Sequence, residues 1–199
     1  MIVQFSVGNF LSFKELSTLS LVATNLKETA IADADSMAEM DDAIPAILHG
    51  AAIYGANASG KSNFAKALST FKWLVINSMK ELQAGEALNV ESFMLNVKTA
   101  HEPSLFEMVF CHDAYIYRYG CEIDSKKVHK EWLYRRNNKK RAKEVELLFR
   151  EDSTYNVHPS CAIMRNLVTN KMVRDNALLV SVAAQFNDET AVSIVNWLT

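Results

Sequence analysis

Hydrophobic and polar residues alternate near the start of the chain. Over residues 2–7 this alternation predicts a half-buried strand, and the pair Gly8-Asn9 is typical of a turn. A second extended segment is expected over residues 16–23. The stretch 33–42 then holds five acidic residues and no basic one, which predicts a solvated connection.

A compact apolar run, residues 46–54, follows without alternation and ends at Gly55. It predicts a strand buried on both faces, as in a sheet covered by helices, with His49 as a core residue. From Ser62 the apolar residues recur every three or four positions, which predicts an amphipathic helix. The positions that define its apolar face are Phe64, Leu68, Phe71, Val75 and Met79.

Alternation over residues 104–150 predicts an antiparallel meander of about four strands. Turns are expected at Asp113-Ala114, Asp124-Ser125 and Asn137-Asn138. The helical period returns near the end of the chain. We therefore expect one partial domain made of an N-terminal hairpin (1–28), an acidic connection (29–45), a strand and helix (46–90), an antiparallel β-subdomain (91–157) and a helical segment (158–199).

The loop between the predicted strand and helix fits the phosphate-loop (Walker A) pattern G-x-x-x-x-G-K-[ST]. Backbone N–H groups of such a loop wrap a phosphate, and the helix that follows points its positive N-terminus at the anion. Lys61 is expected to reach the β- and γ-phosphates of ATP as the candidate catalytic residue, and Ser62 to ligate Mg²⁺. The candidate cofactor-binding residues are Gly55, Ala56, Asn57, Ala58, Ser59, Gly60, Lys61, Ser62 and Asn63.

The composition narrows the class of protein. The chain has 199 residues, 49% of them hydrophobic and 22% charged, which suits a globular domain with a buried core. Its net charge of −2 creates no global field that would recruit nucleic acid. Three cysteines without paired spacing favour free buried thiols in a reducing cytosol. No segment resembles a signal peptide or a membrane span, so we expect a cytoplasmic protein.

Hydrolysis of ATP needs an acidic residue at the end of an apolar strand, where it holds Mg²⁺ from the far side. The acidic candidates do not follow such a strand; they are Asp41-Asp42, Asp113 and Asp188-Glu189. The chain also ends inside an apolar helical pattern. We therefore expect the N-terminal part of a longer ATPase, and the sequence leaves open whether this chain alone hydrolyses ATP.

With the phosphate loop placed, the chain resembles prokaryotic ABC-type ATPases. Its opening, Ile2 to Phe13, is similar to the first hairpin of ATPases of the RecF and SMC kind. Residues 53–63 resemble the Walker A segment of prokaryotic AAA family ATPases related to the overcoming-lysogenization-defect group. Further similarity to that family's β-subdomain lies in Glu102-Pro103-Ser104, Tyr115 to Gly120 and Glu131 to Tyr134.

This resemblance implies an α/β P-loop NTPase fold: an ABC-type head lobe with an antiparallel β-subdomain and trailing helices. Such a head binds ATP and Mg²⁺, forms a homodimer around the nucleotide and hydrolyses it, with signature, Walker B and switch-histidine elements expected beyond residue 199. Many relatives lie in anti-phage defence operons, which makes an effector nuclease an expected partner. By analogy, Phe13 or Lys14 would approach adenine, and Gln83 and Gln185 are candidates for the glutamine at the lobe boundary.

A basic run, residues 126–143, holds nine of the 21 lysines and arginines. It either binds the phosphate backbone of DNA or is a solvated hairpin whose charges protect an edge strand. The candidate DNA contacts are Arg136, Lys139, Lys140 and Arg141. Three alternate residues, Tyr115, Tyr117 and Tyr119, form a tyrosine stripe. Such a stripe fits a platform for stacked bases, but packing between strands is the favoured interpretation.

Two other classes of protein compete with the ATPase head. One is a non-hydrolysing nucleotide-binding or interaction module, which measurable turnover by this chain would refute. The other is a small phosphoryl-transfer kinase, which needs an arginine-rich lid, whereas the arginines of this chain cluster in the predicted meander. We favour an ATPase head whose closure on ATP controls an effector in anti-phage defence or DNA maintenance.

Overall fold

The structure, a computed structural model, describes residues 1–23, 37–38, 46–139 and 141–199. The predicted acidic connection, residues 29–45, falls outside this part of the chain except for the backbone of Met37–Ala38. Among the described residues, no helix combines the length and apolar character needed to cross a lipid bilayer.

Nine strands and four α-helices are present in the described residues. The strands are β1 (Ile2–Gly8), β2 (Ser17–Ser20), β3 (Met37–Ala38), β4 (Ile47–Leu48), β5 (Ser104–His112), β6 (Tyr115–Ile123), β7 (Val128–Asn137), β8 (Val145–Glu151) and β9 (Thr154–Val157). The helices are α1 (Lys61–Asn77), α2 (Ala162–Thr169), α3 (Leu179–Gln185) and α4 (Glu189–Leu198), with a short 3₁₀ helix at Thr99–His101.

Seven strands form one sheet in the order β2-β1-β5-β6-β7-β8-β9, and every neighbouring pair is antiparallel. The predicted meander is confirmed and has a fifth strand, β9. Its first strand also pairs with β1, where Val7 lies opposite Phe106. The N-terminal hairpin and the meander are therefore parts of a single sheet. A separate two-stranded ladder joins β3 to β4.

The tyrosine stripe of β6 lies largely in the hydrophobic core. Tyr117 and Tyr119 are buried, and the Tyr117 ring stacks on Phe110 of β5 with 5.3 Å between ring centroids. Tyr119 packs against Phe71 of α1 at 5.8 Å. Since these two rings are buried and Tyr115 is half-buried, the stripe is core packing and not a platform for bases.

Helix α1 forms where the three- and four-residue period predicts it and packs against the sheet through Phe71. This ring is fully buried and contacts one aromatic ring on each of three strands. Its centroid distances are 6.0 Å to Phe5, 6.4 Å to Phe106 and 5.8 Å to Tyr119. Aromatic pairs of this kind contribute about 0.5–1.5 kcal/mol each beyond the area they bury.

A buried carboxylate from the sheet fixes the start of α3. Glu131 of β7 accepts hydrogen bonds from the backbone N–H groups of Leu179 at 2.7 Å and Val180 at 3.1 Å. It also accepts one from the Tyr119 hydroxyl at 2.9 Å. Burial raises the pKa of this carboxyl group, whereas Arg150 and the three donors favour its charged form. Arg150 of β8 donates to backbone carbonyls of the loop before α3, so the predicted helical segment is held on the sheet.

The strand predicted for residues 46–54 is wrong over most of its length. Only Ile47–Leu48 forms a strand, and the apolar residues after it are exposed, with 90% of Tyr54 and 47% of Ile53 accessible to solvent. Residues 51–54 exchange no backbone hydrogen bond with another described segment, and a strand needs such partners to be buried. His49 is likewise exposed and not a core residue.

Candidate functional site

The phosphate loop, residues 55–62, leads directly into α1. Helix α1 begins at Lys61 after Gly60, which provides no side-chain cap, and its first turn contains no acidic residue. The first N–H groups of a helix have no partner within the helix, and together with the helix dipole they carry a partial positive charge. The N-terminus of α1 is therefore chemically suited to an anion.

The shape of the loop requires a glycine at position 60 and leaves little space beside Gly55. Gly60 has a φ angle of 92°, and a Cβ atom there would lie 2.8 Å from the Ser12 hydroxyl oxygen. A Cβ atom on Gly55 would lie 2.7 Å from the Ser59 hydroxyl oxygen. Ala58 also adopts a left-handed conformation, with a φ angle of 63°. A side chain at Gly60 is therefore strained by the backbone conformation, whereas one at Gly55 would displace the Ser59 hydroxyl.

Lys61 closes the loop upon itself. Its ammonium group donates to the backbone carbonyls of Gly55 at 2.7 Å and Ala56 at 2.6 Å, and it lies 3.4 Å from the Ser59 hydroxyl. Because the lysine begins α1 and the two carbonyls begin the loop, these bonds hold both ends of the loop together. They also concentrate a positive charge inside it.

The two residues after Lys61 play different parts. The Ser62 side chain is exposed and forms no hydrogen bond with any described residue, so its hydroxyl oxygen is free to ligate a cation. The Asn63 amide instead donates to the Ser12 hydroxyl at 2.9 Å. Of the predicted binding residues, Asn63 therefore positions the loop against the N-terminal hairpin.

Asn9 anchors the turn that carries Ser12. With a φ angle of 47°, its side-chain amide donates to the carbonyls of Thr99 and Glu102 at 2.8 Å and of Pro103 at 3.2 Å. Its side-chain oxygen accepts the N–H of Phe93 at 3.1 Å. Sequence reasoning recognised only a turn here. These partners lie more than 80 positions away, and no local pattern reports them.

An apolar cleft of about 260 Å³ adjoins the phosphate loop. The Phe13 ring packs edge-on against Phe64 of α1 at 6.0 Å and lies close to Gly60. The cleft is also lined by Leu19 and Tyr54. Of the two residues expected near adenine, the structure brings Phe13 to the loop. The ammonium group of Lys14 instead lies 3.6 Å from the carboxylate of Glu15.

The acidic residues considered for catalysis have other places in the structure. Asp188 caps α4 by accepting the N–H of Ala191 at 3.1 Å, and Glu189 lies in the first turn of that helix. Asp113 occupies the β5–β6 turn, where its carboxylate lies 3.6 Å from the His112 ring. The pair Asp41-Asp42 lies outside the described residues. Within the described chain, Lys61 forms no ion pair with a carboxylate.

The candidate DNA contacts lie at the far end of the β7–β8 hairpin. Arg136 is near the end of β7, Lys139 and Arg141 lie in the loop that follows, and Lys140 falls outside the described residues. The carboxylate of nearby Glu144 forms an ion pair with the Arg118 guanidinium group at 2.8 Å. Other members of the basic run form ion pairs on the sheet. The Lys130 ammonium group, for example, lies 3.3 Å from the Glu122 carboxylate.

The family model of an AAA domain described as AbiEii toxin-like, type IV toxin–antitoxin system, matches residues 51–163. This segment is more than half of the chain and includes the whole phosphate loop. The chain belongs to this family of AAA domains, which confirms the resemblance to prokaryotic AAA family ATPases and identifies a P-loop NTPase. No curated protein and no solved structure matches the chain significantly.

The two left-handed glycines provide a matched test of the loop geometry. Gly85 has a φ angle of 82° with open space where a Cβ would lie, whereas a Cβ on Gly60 would meet Ser12. We expect Gly85→Ala to lower the free energy of unfolding by about 1–2 kcal/mol, the cost of a left-handed L residue. Gly60→Ala should cost about 0.5–1.5 kcal/mol more, because the Ser12 hydroxyl must turn away and lose its hydrogen bond with Asn63. Urea denaturation measures both.

Adding Ser12→Ala to the Gly60→Ala variant should recover this additional loss, with Ser12→Ala alone as the reference. Equal losses for the two glycine variants, or no recovery in the double variant, would show that the contact between Ser12 and Gly60 does not shape the loop.

Proposed function

We propose that this chain binds Mg–ATP through residues 55–62 and forms the nucleotide-binding part of an ABC-type ATPase. The observation that carries the proposal is the uncapped N-terminus of α1, preceded by a left-handed Gly60 and closed by Lys61. These features provide the backbone N–H groups, the curvature and the charge that a triphosphate requires. Membership of the AAA-domain family supports the same assignment.

Each residue of the loop has a defined part in this proposal. The N–H groups between Gly55 and Ser62 would surround the β-phosphate, and Lys61 would lie beside the β- and γ-phosphates as a point charge. Ser62 would ligate Mg²⁺, which supplies neutralising charge for the phosphate oxygens. The cleft lined by Phe13, Leu19 and Tyr54 offers apolar surface for the adenine base.

Hydrolysis needs groups in addition to this cradle. A carboxylate must hold Mg²⁺ from the far side and a further group must orient the attacking water, and the described residues bring neither to the loop. We propose that the complete ATPase supplies the carboxylate outside the described residues, that two ATP-bound heads associate to complete the site, and that this closure controls an effector nuclease in anti-phage defence or DNA maintenance. The antiparallel sheet beside α1 fits the β-subdomain of such a head. The alternative is a non-hydrolysing nucleotide-binding module.

Replacing the loop lysine tests the nucleotide site. Lys61→Ala should weaken Mg–ATP binding by roughly 10- to 150-fold, because a hydrogen bond to a charged group contributes about 1.5–3 kcal/mol. Isothermal titration calorimetry measures the dissociation constant. Lys66→Ala is the matched control, since Lys66 lies on the exposed side of the same helix, and it should change binding less than twofold.

Equal effects of the two lysine substitutions would contradict a phosphate-binding role for Lys61. Phosphate release, followed in parallel, separates the two forms of the proposal. Turnover by the 199-residue chain would refute the non-hydrolysing module, whereas binding without turnover would leave hydrolysis to the assembled heads.

A second candidate function is binding of duplex DNA by the β7–β8 hairpin. The observation that favours it is the concentration of exposed cations at the tip of this hairpin, while Glu144 is occupied by Arg118. Arg136, Lys139 and Arg141 form no ion pair with any residue that the structure describes. Unpaired cations of this kind attract the phosphate backbone without reading sequence.

Charge reversal tests this surface. Changing the four candidate contacts to glutamate should abolish salt-dependent binding of a fluorescent 20-base-pair duplex between about 50 and 200 mM salt; they are Arg136, Lys139, Lys140 and Arg141. The control reverses four exposed lysines elsewhere and should retain binding; they are Lys14, Lys66, Lys80 and Lys98. If fluorescence anisotropy detects the same affinity in both variants, the hairpin is not the DNA site.

A further inference from the structure

We propose that a second cavity, at the opposite end of α1, binds a phosphate-bearing anion. The cavity is open to solvent, has a volume of about 610 Å³ and is bordered by three loops: residues 84–85 after α1, residues 124–127 between β6 and β7, and residues 171–176 between α2 and α3. This volume accommodates a phosphate together with an attached organic group the size of a nucleoside. Helix α1 is about 25 Å long, so the cavity is separate from the phosphate loop.

The walls of the cavity are fixed by hydrogen bonds between the three loops. The Asn176 amide donates to the carbonyls of Gln83 at 2.8 Å and Glu86 at 3.0 Å. The N–H of Val128 donates to the Asp175 carbonyl at 2.8 Å. Since these bonds form within the chain itself, the cavity is present before any ligand arrives, and binding costs little ordering of the loops.

The charges around the cavity leave two lysines available. Lys127 is paired with Asp152 at 2.6 Å, and the Asp124 carboxylate accepts hydrogen bonds from two backbone N–H groups and lies 2.8 Å from His129. Lys126 and Lys171 are exposed at the rim and form no ion pair in the described part of the chain.

Two carboxylates, Asp124 and Asp175, line this cavity and oppose an anion. The side chain of Asp175 is exposed. Both carboxylates reduce the attraction that Lys126 and Lys171 exert on a phosphate. Asp124 does so less, because it accepts two backbone N–H hydrogen bonds and lies beside His129, so Asp175 carries the main opposing charge. Removing this charge should therefore strengthen binding.

The residues beneath the cavity carry polar atoms without protein partners. Asn176 is only 2% exposed, and its side-chain oxygen has no hydrogen-bond partner among the described residues. The Nε–H of Arg174 is likewise buried and without one, while its Nη2 donates to the Met79 carbonyl at 3.0 Å. A buried polar group left unpaired costs about 1–3 kcal/mol. Both atoms are shielded from solvent, so a ligand in the cavity does not reach them directly; the half-buried guanidinium group of Arg174 instead contributes a positive charge beneath the cavity.

Inorganic pyrophosphate is a suitable probe, titrated into the ¹⁵N-labelled 199-residue chain carrying Lys61→Ala so that the phosphate loop responds weakly. We expect chemical-shift changes at the Gly85 amide, the Asn176 side-chain amide and the Arg174 Nε–H. Lys126→Gln combined with Lys171→Gln should weaken binding at least tenfold. Asp175→Asn should strengthen it about threefold, as expected for removing one like charge near the surface.

The control variant combines Lys139→Gln with Lys143→Gln. It removes the same amount of charge near the other end of β7, about 33 Å away. It should change the affinity less than twofold. No response at Gly85 and Asn176, or a response that survives the Lys126 and Lys171 substitutions, would overturn the proposal. Signals of residues 55–63 in the unsubstituted chain report separately on the phosphate loop, so failure of one site is distinguishable from failure of the other.

A 12-nucleotide single-stranded oligonucleotide, added in a second titration, identifies the source of the phosphate. If pyrophosphate shifts these signals and the oligonucleotide does not, the ligand is a small phosphorylated molecule. If both shift them and the Lys126 and Lys171 substitutions weaken both, the cavity binds the phosphates of a nucleic-acid backbone. If neither does, the cavity is not an anion site.

Discussion

The packing of Phe71 against three strands is the constraint on which the candidate site depends. One face of α1 is fixed to the sheet by rings from β1, β5 and β6, so the helix cannot rotate or slide without opening the core. Its N-terminus is therefore held in a constant direction. A phosphate loop needs this rigidity, because its backbone N–H groups act only if they are already aimed at the anion.

Buried polar groups extend this constraint to the loops. Asn9 joins the end of β1 to residues 93–103, and the turn that follows reaches the phosphate loop through Ser12 and Asn63. At the other end of α1, Glu131 and Arg150 hold the loop before α3 on the sheet. Removing one partner of such a network leaves buried groups unpaired, which costs more than the bond itself contributes.

Local patterns in the sequence predict the elements that depend on local interactions. The period of α1, the alternation of β5–β8 and the glycines of the phosphate loop all specify structures formed by near neighbours. The strand over residues 46–54 was wrongly predicted because its burial depends on neighbouring strands, which the described residues do not supply to 51–54. The hydrogen bonds of Asn9 have no local signal, because its partners lie 84 or more positions away. The cap formed by Asp188 is local, since it bonds Ala191 three positions on, and an aspartate just before a helical period is its signal.

Amide hydrogen exchange of the 199-residue chain, with and without Mg–ATP, tests most directly whether the N-terminus of α1 is a phosphate site. The account predicts at least tenfold slower exchange over residues 57–63, since their N–H groups would donate to phosphate oxygens, and little change at the β7–β8 hairpin, residues 134–139. Unchanged exchange over residues 57–63 at saturating nucleotide, or protection confined to another part of the chain, would contradict it.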